Sequence, residues 1–431
     1  MKVSLTKLLG ISVIFLFYLI PLQDLLVSFF FKLGAPLTLL RFFLLLKEGV
    51  VIFWGVIFLF RKQPSVFRIS LLLFTIYATL FIFISDLPIY YTLIGFRTYL
   101  LILFSFTIGE HLSNTVNFNT LFLKHIKTIF LFLLVFSFLE YFILPTKIWI
   151  DLFPVIEMKK VVIGLFIPQF YDTGLPDNIM GELTRRMIGP FNEPLNMAYF
   201  TVILLDFFVA LWFFGRSNSS ITVVIGSIIL FFTQTRAVII GFILSILGLI
   251  FKKIKIRKRS LLLLSASLFF GVFILMLFPK WFMGLWSSIF TTEGRNVGHI
   301  AAYIDGIQHL LLQPWGRGVG ISSNSVGFAT TNLSTENAFI NIGLELGIIG
   351  MLWILSTLVA MLLRFRRYLN NQSSQVTGYL IVVSAYLVLI QFIFAGFVAP
   401  HIMTARILIP FMILLGWASS IVRTREEIKV F

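Results

Sequence analysis

Long apolar runs, separated by short basic or polar stretches, make up most of this sequence. Each run approaches the roughly 20 residues that a helix needs to cross a bilayer. The strict apolar–polar alternation of membrane barrels is absent from the sequence. Because a backbone in lipid must satisfy its own hydrogen bonds, these runs predict transmembrane helices. We predict about twelve spans, near 8–30, 38–60, 66–84, 88–109, 127–145, 195–214, 219–235, 237–251, 260–279, 337–363, 376–396 and 403–422.

The composition favours the same fold class. Of the 431 residues, 59% are hydrophobic and only 12% are charged. A soluble domain cannot bury that much apolar surface. Neither an internal repeat nor a low-complexity linker divides the sequence, so we expect a single integral membrane domain over 1–431. The predicted fold class is all-α and polytopic.

The net charge of +16 is concentrated in short loops. If the N-terminus is cytoplasmic and twelve spans follow, six basic clusters fall together on the cytoplasmic side, as the positive-inside rule requires. This distribution predicts cytoplasmic N- and C-termini and argues against nucleic acid as a partner. The clusters lie at 2–7, 61–68, 124–127, 252–259, 364–367 and 423–425.

Several kinds of site are excluded by residues and motifs that the sequence lacks. It contains no cysteine, which excludes disulfides, thiolate metal sites and a cysteine nucleophile. It also lacks H-E-x-x-H, G-x-S-x-G, a P-loop and Asp-x-Asp. Many nucleotide-sugar transferases use the paired acids of Asp-x-Asp to hold a metal ion on a diphosphate. Without that motif, a diphosphate bound here has to be neutralised by arginines. We expect no metal and no cofactor.

Two segments on the predicted outer side, about 146–194 and 280–336, are too long to be simple turns. The first contains five prolines and an apolar stretch, 161–170, which is too short to span and suggests a re-entrant or interfacial piece. In the second, apolar residues at helical spacing predict an amphipathic helix over 297–312, on the membrane or over a cavity. The glycine-rich motif Pro314-Trp315-Gly316-Arg317-Gly318-Val319-Gly320 ends it.

Arginines on the outer side are the first candidates for binding a ligand. They are Arg236 in Thr233-Gln234-Thr235-Arg236, Arg295, and the pair Arg185 and Arg186. A guanidinium matches phosphate oxygens bidentately and stays charged. One arginine about 4 Å from a phosphate charge contributes roughly 4 kcal/mol at an effective dielectric of about 20. The alternative is that Arg236 reaches lipid headgroups and Arg295 is a solvated loop residue. For Arg236 the topology favours function, because outer-side arginine is disfavoured.

Glu336 stands in Ser334-Thr335-Glu336-Asn337, immediately before the span predicted at 337–363. An acid in the first turn of a helix is stabilised by the helix dipole, by about 0.3–1 kcal/mol, and this alone accounts for its position. Alternatively, Glu336 is a general base at the membrane surface that takes a proton from a sugar hydroxyl. Spacing alone leaves both interpretations open.

The same span carries a second acid, Glu345, nine residues after Glu336. This separation places the two acids about 180° apart around the helix, and Glu345 roughly 13 Å deeper. Arg97 in the fourth span lies at a similar depth, so we expect an Arg97–Glu345 pair that orients the helices. Glycines at helical spacing in this span are typical of close helix packing: Gly343, Gly347 and Gly350.

The order of these motifs resembles that of the bacterial O-antigen polymerase and O-antigen ligase superfamily. The resemblance covers about 220–350, and elsewhere only the plan of twelve spans with a large outer loop is similar. Position 336 departs from the ligase pattern, in which a histidine precedes the asparagine, and this favours the polymerase branch. The motifs are Thr233–Arg236 before an apolar span, Arg295 before the amphipathic helix, the glycine-rich motif, and Glu336-Asn337 ahead of Gly347-Ile348-Ile349-Gly350.

The resemblance implies an inverting, metal-independent glycosyltransferase with a C-type fold in the bacterial inner membrane, acting on its periplasmic or external side. Its donor and acceptor would be undecaprenyl-diphosphate-linked glycans, and the polymer O-antigen, capsule or a related polysaccharide. The implied roles are diphosphate binding by Arg236 and Arg295, with Arg185 or Arg186 assisting, catalysis by Glu336, and support from Asn337 and Arg317. Further expected partners are membrane lipids and a chain-length regulator.

Two other functions remain open from the sequence. One is a ligase that transfers finished polysaccharide to the lipid A core. The other is a transporter, such as a flippase for lipid-linked oligosaccharides, since Lys47, Glu48 and Asp206 lie inside predicted spans, as ionisable residues of transporters often do.

Overall fold

A computed structural model describes residues 5–61, 64–113, 118–144, 146–158, 161, 187–191, 193–214, 219–233, 235–250, 295–322, 335, 337–371 and 377–430. Within these ranges the regular structure is helical, without strands. The α-helices are α1 (Leu5–Lys32), α2 (Leu37–Leu59), α3 (Val66–Leu80), α4 (Ile89–Leu112), α5 (Phe118–Phe138), α6 (Thr146–Leu152), α7 (Val155–Met158), α8 (Pro194–Phe214), α9 (Ser220–Phe232), α10 (Arg236–Ile250), α11 (Arg295–Leu312), α12 (Ala338–Asn371), α13 (Thr377–Gly396) and α14 (Ala405–Val430).

Eight of these helices are long and apolar enough to cross a membrane: α1, α2, α4, α5 with the π-helical turn Leu139–Ile143 that continues it, α8, α12, α13 and α14. Three shorter apolar helices, α3, α9 and α10, coincide with further predicted spans. The polytopic all-α fold class is therefore confirmed. The span predicted at 260–279 lies outside the described residues, so the number twelve stays a prediction.

α4 and α14 approach each other closely enough for their backbones to touch. A Cβ added to Gly109 on α4 would lie 2.1 Å from the carbonyl oxygen of Ile413, and one added to Gly416 on α14 would lie 2.0 Å from that of Phe106. The two backbones touch because both contact points are glycines, as is common where membrane helices associate. This contact fixes the relative height of α4 and α14, which both contribute ionisable side chains to the candidate site.

Hydrogen bonds between loops show which helix ends lie together. The amide of Val319, after α11, donates to the carbonyl of Phe81, after α3 (3.2 Å), and the side chain of Asn337, before α12, donates to the carbonyl of Phe397, after α13 (3.0 Å). The amide of Met187 likewise donates to the carbonyl of Phe232 at the end of α9 (2.9 Å). We call the end of the bundle where these segments lie and where α4 begins the Ile89 end. The opposite end, where α4 finishes, is the Leu112 end.

α12 is broken at Gly347, which has a φ of 74° and a ψ of 174°. The glycine-rich segment 314–320 fills the break. The amides of Arg317 and Gly318 donate to the carbonyls of Leu344 (2.9 Å) and Glu345 (3.0 Å), and the amide of Ile348 donates to the carbonyl of Pro314 (2.9 Å). The backbone groups released by the break are thus satisfied by protein, as a break at membrane depth requires.

The prediction that Gly347 serves close helix packing is therefore wrong, because its conformation interrupts the helix. A Cβ at this position would meet backbone atoms of the glycine-rich segment at 2.7 Å. Gly343 does lie at a helix contact, since its Cβ would be 3.0 Å from the side chain of Leu310 on α11. At Gly350 the three atoms nearest to an added Cβ all belong to the side chain of Leu346 on the same helix.

The predicted helix over 297–312 is confirmed as α11. It packs on α12 through a small apolar cluster that includes Leu310, Ile340 and Leu344. Other apolar residues of α11 are exposed, among them Tyr303, Ile304, Leu311 and Leu312. α11 therefore packs on α12 through some of its apolar residues and leaves others exposed.

Candidate functional site

Ionisable side chains from four helices meet inside the bundle, toward its Ile89 end. Arg406 in the first turn of α14 contacts Asp24 of α1, with 2.5 Å between Nη2 and Oδ1. Arg97 of α4 contacts Glu48 of α2 at 3.1 Å, and Lys47 of α2 lies 3.8 Å from the same carboxylate. We call these five residues the ion network.

The five charges of the ion network interact as one group. Lys47 experiences the charges of all four other members. The side chains of Asp24, Lys47 and Glu48 are no more than 7% exposed, whereas those of Arg406 and Arg97 are 13% and 30% exposed. The network is therefore buried on one side and reaches the surface through its two arginines.

The expected Arg97–Glu345 pair is wrong. Arg97 contacts Glu48, as described above, while the carboxylate of Glu345 accepts hydrogen bonds from the hydroxyl of Tyr99 (2.6 Å) and from the amide and hydroxyl of Ser322 (3.3 and 3.2 Å). Residues 97 and 99 lie about 200° apart on α4, at roughly 100° per residue, so their side chains leave the helix on different sides. Residue spacing along the helix predicts the depth of Glu345 but not the direction in which its partner lies.

A second polar group lies where α8 begins. Glu193 contacts the ring of His401, with 3.9 Å between Oε1 and Nε2, and also accepts a hydrogen bond from the side-chain amide of Asn196. Thr404 donates to the side-chain oxygen of Asn196 (3.4 Å), and two residues later Arg406 enters the ion network. The segment 401–406 therefore contributes to both polar groups, and only the two residues from Thr404 to Arg406 separate them along the chain.

Arg236, one of the predicted diphosphate ligands, is the first residue of α10. Its side chain is half-buried, and none of the other described residues forms an ion pair or hydrogen bond with its guanidinium. The helix before it ends at the Ile89 end, because the carbonyl of Phe232 accepts from Met187 there. Arg236 thus stands at the same end of the bundle as the two polar groups above.

The two predicted supporting residues have different environments. Asn337 is buried and caps α12, since its side-chain oxygen accepts from the amide of Ile340 (2.9 Å). Arg317 is half-buried in the glycine-rich segment, with Nη2 3.4 Å from Nδ1 of His309 on α11. Asn337 has a structural task already, whereas Arg317 keeps part of its guanidinium accessible.

Other predicted site residues are described only in part or not at all. Arg295 begins α11, and its side chain lies outside what the structure describes. Glu336, Arg185 and Arg186 lie outside the described residues, as does most of the apolar stretch 161–170. The neighbours of Glu336 in the chain, Thr335 and Asn337, are both buried.

The site as described combines partly exposed arginines with buried acids that hold two of them in place. Such an arrangement binds anions, because guanidinium groups held by carboxylates keep further N–H donors for a ligand. Lys47, Glu48 and Arg97 are recognisable in the sequence as ionisable residues within predicted spans. No motif in the sequence marks Asp24, Arg406 or the Glu193–His401 contact. The only sequence signal for these is an ionisable residue in or beside an apolar run.

No protein-family model matches this chain, and no curated protein matches it either.

Proposed function

We propose that the protein is a membrane glycosyltransferase with a C-type fold that joins undecaprenyl-diphosphate-linked repeat units into O-antigen or a related surface polysaccharide. The observation that carries the proposal is Arg236: a half-buried cation at a helix start, without a counter-ion among the described residues. An anionic group of the substrate supplies the missing charge. Of the anions at a membrane surface, the diphosphate of a lipid-linked glycan is the one whose departure drives glycosyl transfer.

The proposed reaction is a single displacement at the anomeric carbon of the donor. A hydroxyl oxygen of the acceptor glycan forms the new glycosidic bond, while the bond between the anomeric carbon and the diphosphate oxygen breaks. The electron pair stays on undecaprenyl diphosphate, and the hydroxyl proton passes to Glu336. Attack from the opposite face inverts the anomeric configuration.

In this proposal the arginines stabilise the leaving group. Arg236 and Arg295, each the first residue of a helix, hold the diphosphate, and Arg185 or Arg186 adds to the same charge. The developing negative charge is stabilised by fixed positive groups, the effect that contributes most in many enzymes. Arg317 and Asn337, which is next to Glu336 in the chain, are the proposed supporting residues.

The orientation of the chain is part of the proposal. The basic clusters favour a cytoplasmic location for the N- and C-termini, and hence an external location for the Ile89 end. Lipid-linked repeats are used on that side of the bacterial inner membrane, with a chain-length regulator as an expected partner. Reporter fusions at 236 and 336 that report a cytosolic location would contradict this orientation.

The test is the set of glycans that accumulates when the gene is deleted and complemented. Deletion should leave single repeats exposed outside the cell, and complementation by Glu336→Gln should leave the same single-repeat products without polymer. Glu157→Gln, which alters an exposed acid of α7, is the matched control and should restore long chains. Long chains made by Glu336→Gln would remove Glu336 from the mechanism.

The same assay separates the two alternatives. The charged residues inside α2 and α4 favour the flippase alternative. If the protein is a flippase, its deletion should leave the repeats on the cytoplasmic side. A ligase would leave finished polymer on its lipid carrier, unattached to the lipid A core. Among these three functions, only the loss of a polymerase leaves single repeats displayed outside the cell.

A further inference from the structure

Resting on the proposed function, we infer that the ion network is a second diphosphate site, which holds the lipid-linked acceptor while Arg236 and Arg295 hold the donor. In a polymerase both substrates carry a diphosphate and are present at the same time. Two separate anion sites are therefore required. The ion network is built from α1, α2, α4 and α14, none of which carries a predicted donor-binding arginine.

The charge balance of the network points to an anion. Lys47, Arg97 and Arg406 contribute three positive charges, and Asp24 and Glu48 contribute two negative ones. One positive charge therefore lacks a partner within the network, and a buried excess charge is unfavourable unless it is compensated. A bound anion compensates it.

The two arginines have the geometry of a binding site. Each is anchored by one carboxylate, Arg97 by Glu48 and Arg406 by Asp24, and each is more exposed than the acid that holds it. A guanidinium carries five N–H donors, so one ion pair leaves most of them for a ligand. Nε of Arg97 has no hydrogen-bond partner in the described part of the chain. Two anchored guanidinium groups suit a ligand with two phosphates.

An apolar groove on the other face of α2 favours a ligand with a lipid chain. The groove, of about 610 Å³, lies between α1 and α2 and is lined by Phe15, Phe42, Leu46, Gly49 and Val50 among others. Leu46 and Gly49 flank Lys47 and Glu48 in the sequence, so the groove and the network share one stretch of helix. In this proposal the ion network binds the diphosphate of the lipid, and the groove binds its prenyl chain.

The test measures binding of farnesyl diphosphate and of inorganic pyrophosphate to the purified full-length protein in detergent. The wild type should bind two equivalents of farnesyl diphosphate. Arg97→Gln should weaken one of them at least tenfold, about 1.4 kcal/mol, and Arg236→Gln should weaken the other. Lys32→Gln, which removes an exposed cation at the same end of the bundle, is the matched control and should leave both unchanged.

Gly49→Leu tests the groove without touching the network. A Cβ at Gly49 meets no atom within 4 Å, so the larger side chain fits the fold and enters the groove. It should weaken farnesyl diphosphate at one site and leave pyrophosphate binding unchanged. If the wild type binds both ligands equally well, the site serves a soluble diphosphate and its assignment to a lipid is wrong.

The proposal of a second site is overturned if Arg97→Gln binds farnesyl diphosphate as the wild type does. It is also overturned if Lys32→Gln weakens binding as much as Arg97→Gln does. This result is distinguishable from failure of the proposed function, which is read from accumulated glycans rather than from binding. If deletion leaves polymer intact while two diphosphates still bind, the polymerase proposal falls and the two binding sites remain.

Discussion

Replacing Gly347 by alanine should destabilise the protein far more than replacing Gly343, four residues earlier on the same helix. At Gly347 the backbone has a φ of 74° and a ψ of 174°, a region that is essentially restricted to glycine and costs other residues about 1–3 kcal/mol. The added Cβ would also lie 2.7 Å from the carbonyl oxygen of Pro314 and from the carbonyl carbon of Trp315. Neither atom belongs to a flexible side chain, so the glycine-rich segment has to move.

Movement of that segment weakens the hydrogen bonds that fill the helix break. Two of them join Arg317 and Gly318 to the carbonyls of Leu344 and Glu345, and each contributes about 0.5–1.5 kcal/mol. Together with the backbone strain, the expected loss for Gly347→Ala is roughly 2–6 kcal/mol. At Gly343 the backbone is helical, and the nearest atoms to an added Cβ belong to flexible side chains, Leu310 at 3.0 Å and Met351 at 3.5 Å. The higher helix propensity of alanine, worth about 1 kcal/mol, offsets those contacts.

The assay is thermal unfolding in detergent, followed by the fluorescence of the protein's eight tryptophans. Gly343→Ala should unfold near the wild-type temperature and Gly347→Ala clearly below it. The reasoning is refuted if the two variants unfold together, because the break would then be unnecessary to the fold.

Two further substitutions test buried polar contacts by the same unfolding measurement. Tyr99→Phe removes the hydroxyl that donates to Glu345 at 2.6 Å and should lower the stability by about 1.5–3 kcal/mol, whereas an unchanged stability would mean that the bond contributes nothing. Glu110→Gln removes the carboxylate that lies 3.2 Å from Arg68 near the Leu112 end and should lower it by about 3–5 kcal/mol. The double variant Arg68→Met with Glu110→Leu should recover most of that loss, and a double variant as unstable as the single one would show that the loss does not come from a stranded charge.

The positions of the helices were largely predictable from the sequence. The apolar runs matched eleven described helices, because length and hydrophobicity are local properties. The period of apolar residues also predicts α11 to its last residue and to within two residues of its start. Depth along a helix follows from residue number, and this placed Glu345 at roughly the right level in the bundle.

Contacts between distant helices were not predictable. Asp24 and Arg406 are separated by 382 positions, and nothing local marks them as partners. The role of Gly347 is not predictable from its spacing. A glycine that packs against a neighbouring helix and a glycine that breaks its own helix look the same in the sequence. The backbone torsion separates the two, and it depends on a segment some thirty residues upstream.

Hydropathy also fails to say which spans meet lipid. α8 has a mean hydropathy of 2.1 and is buried along its whole most apolar stretch, whereas α1, with the same hydropathy, is only half buried. Neighbouring helices surround α8. A change in bilayer thickness therefore acts on α8 only by moving those neighbouring helices. Glu193 and Asn196 stand where α8 begins, and His401 and Thr404 contact them from the neighbouring segment. The height of this polar group is therefore insulated from the surrounding lipid, and its geometry should be the same in thin and thick membranes.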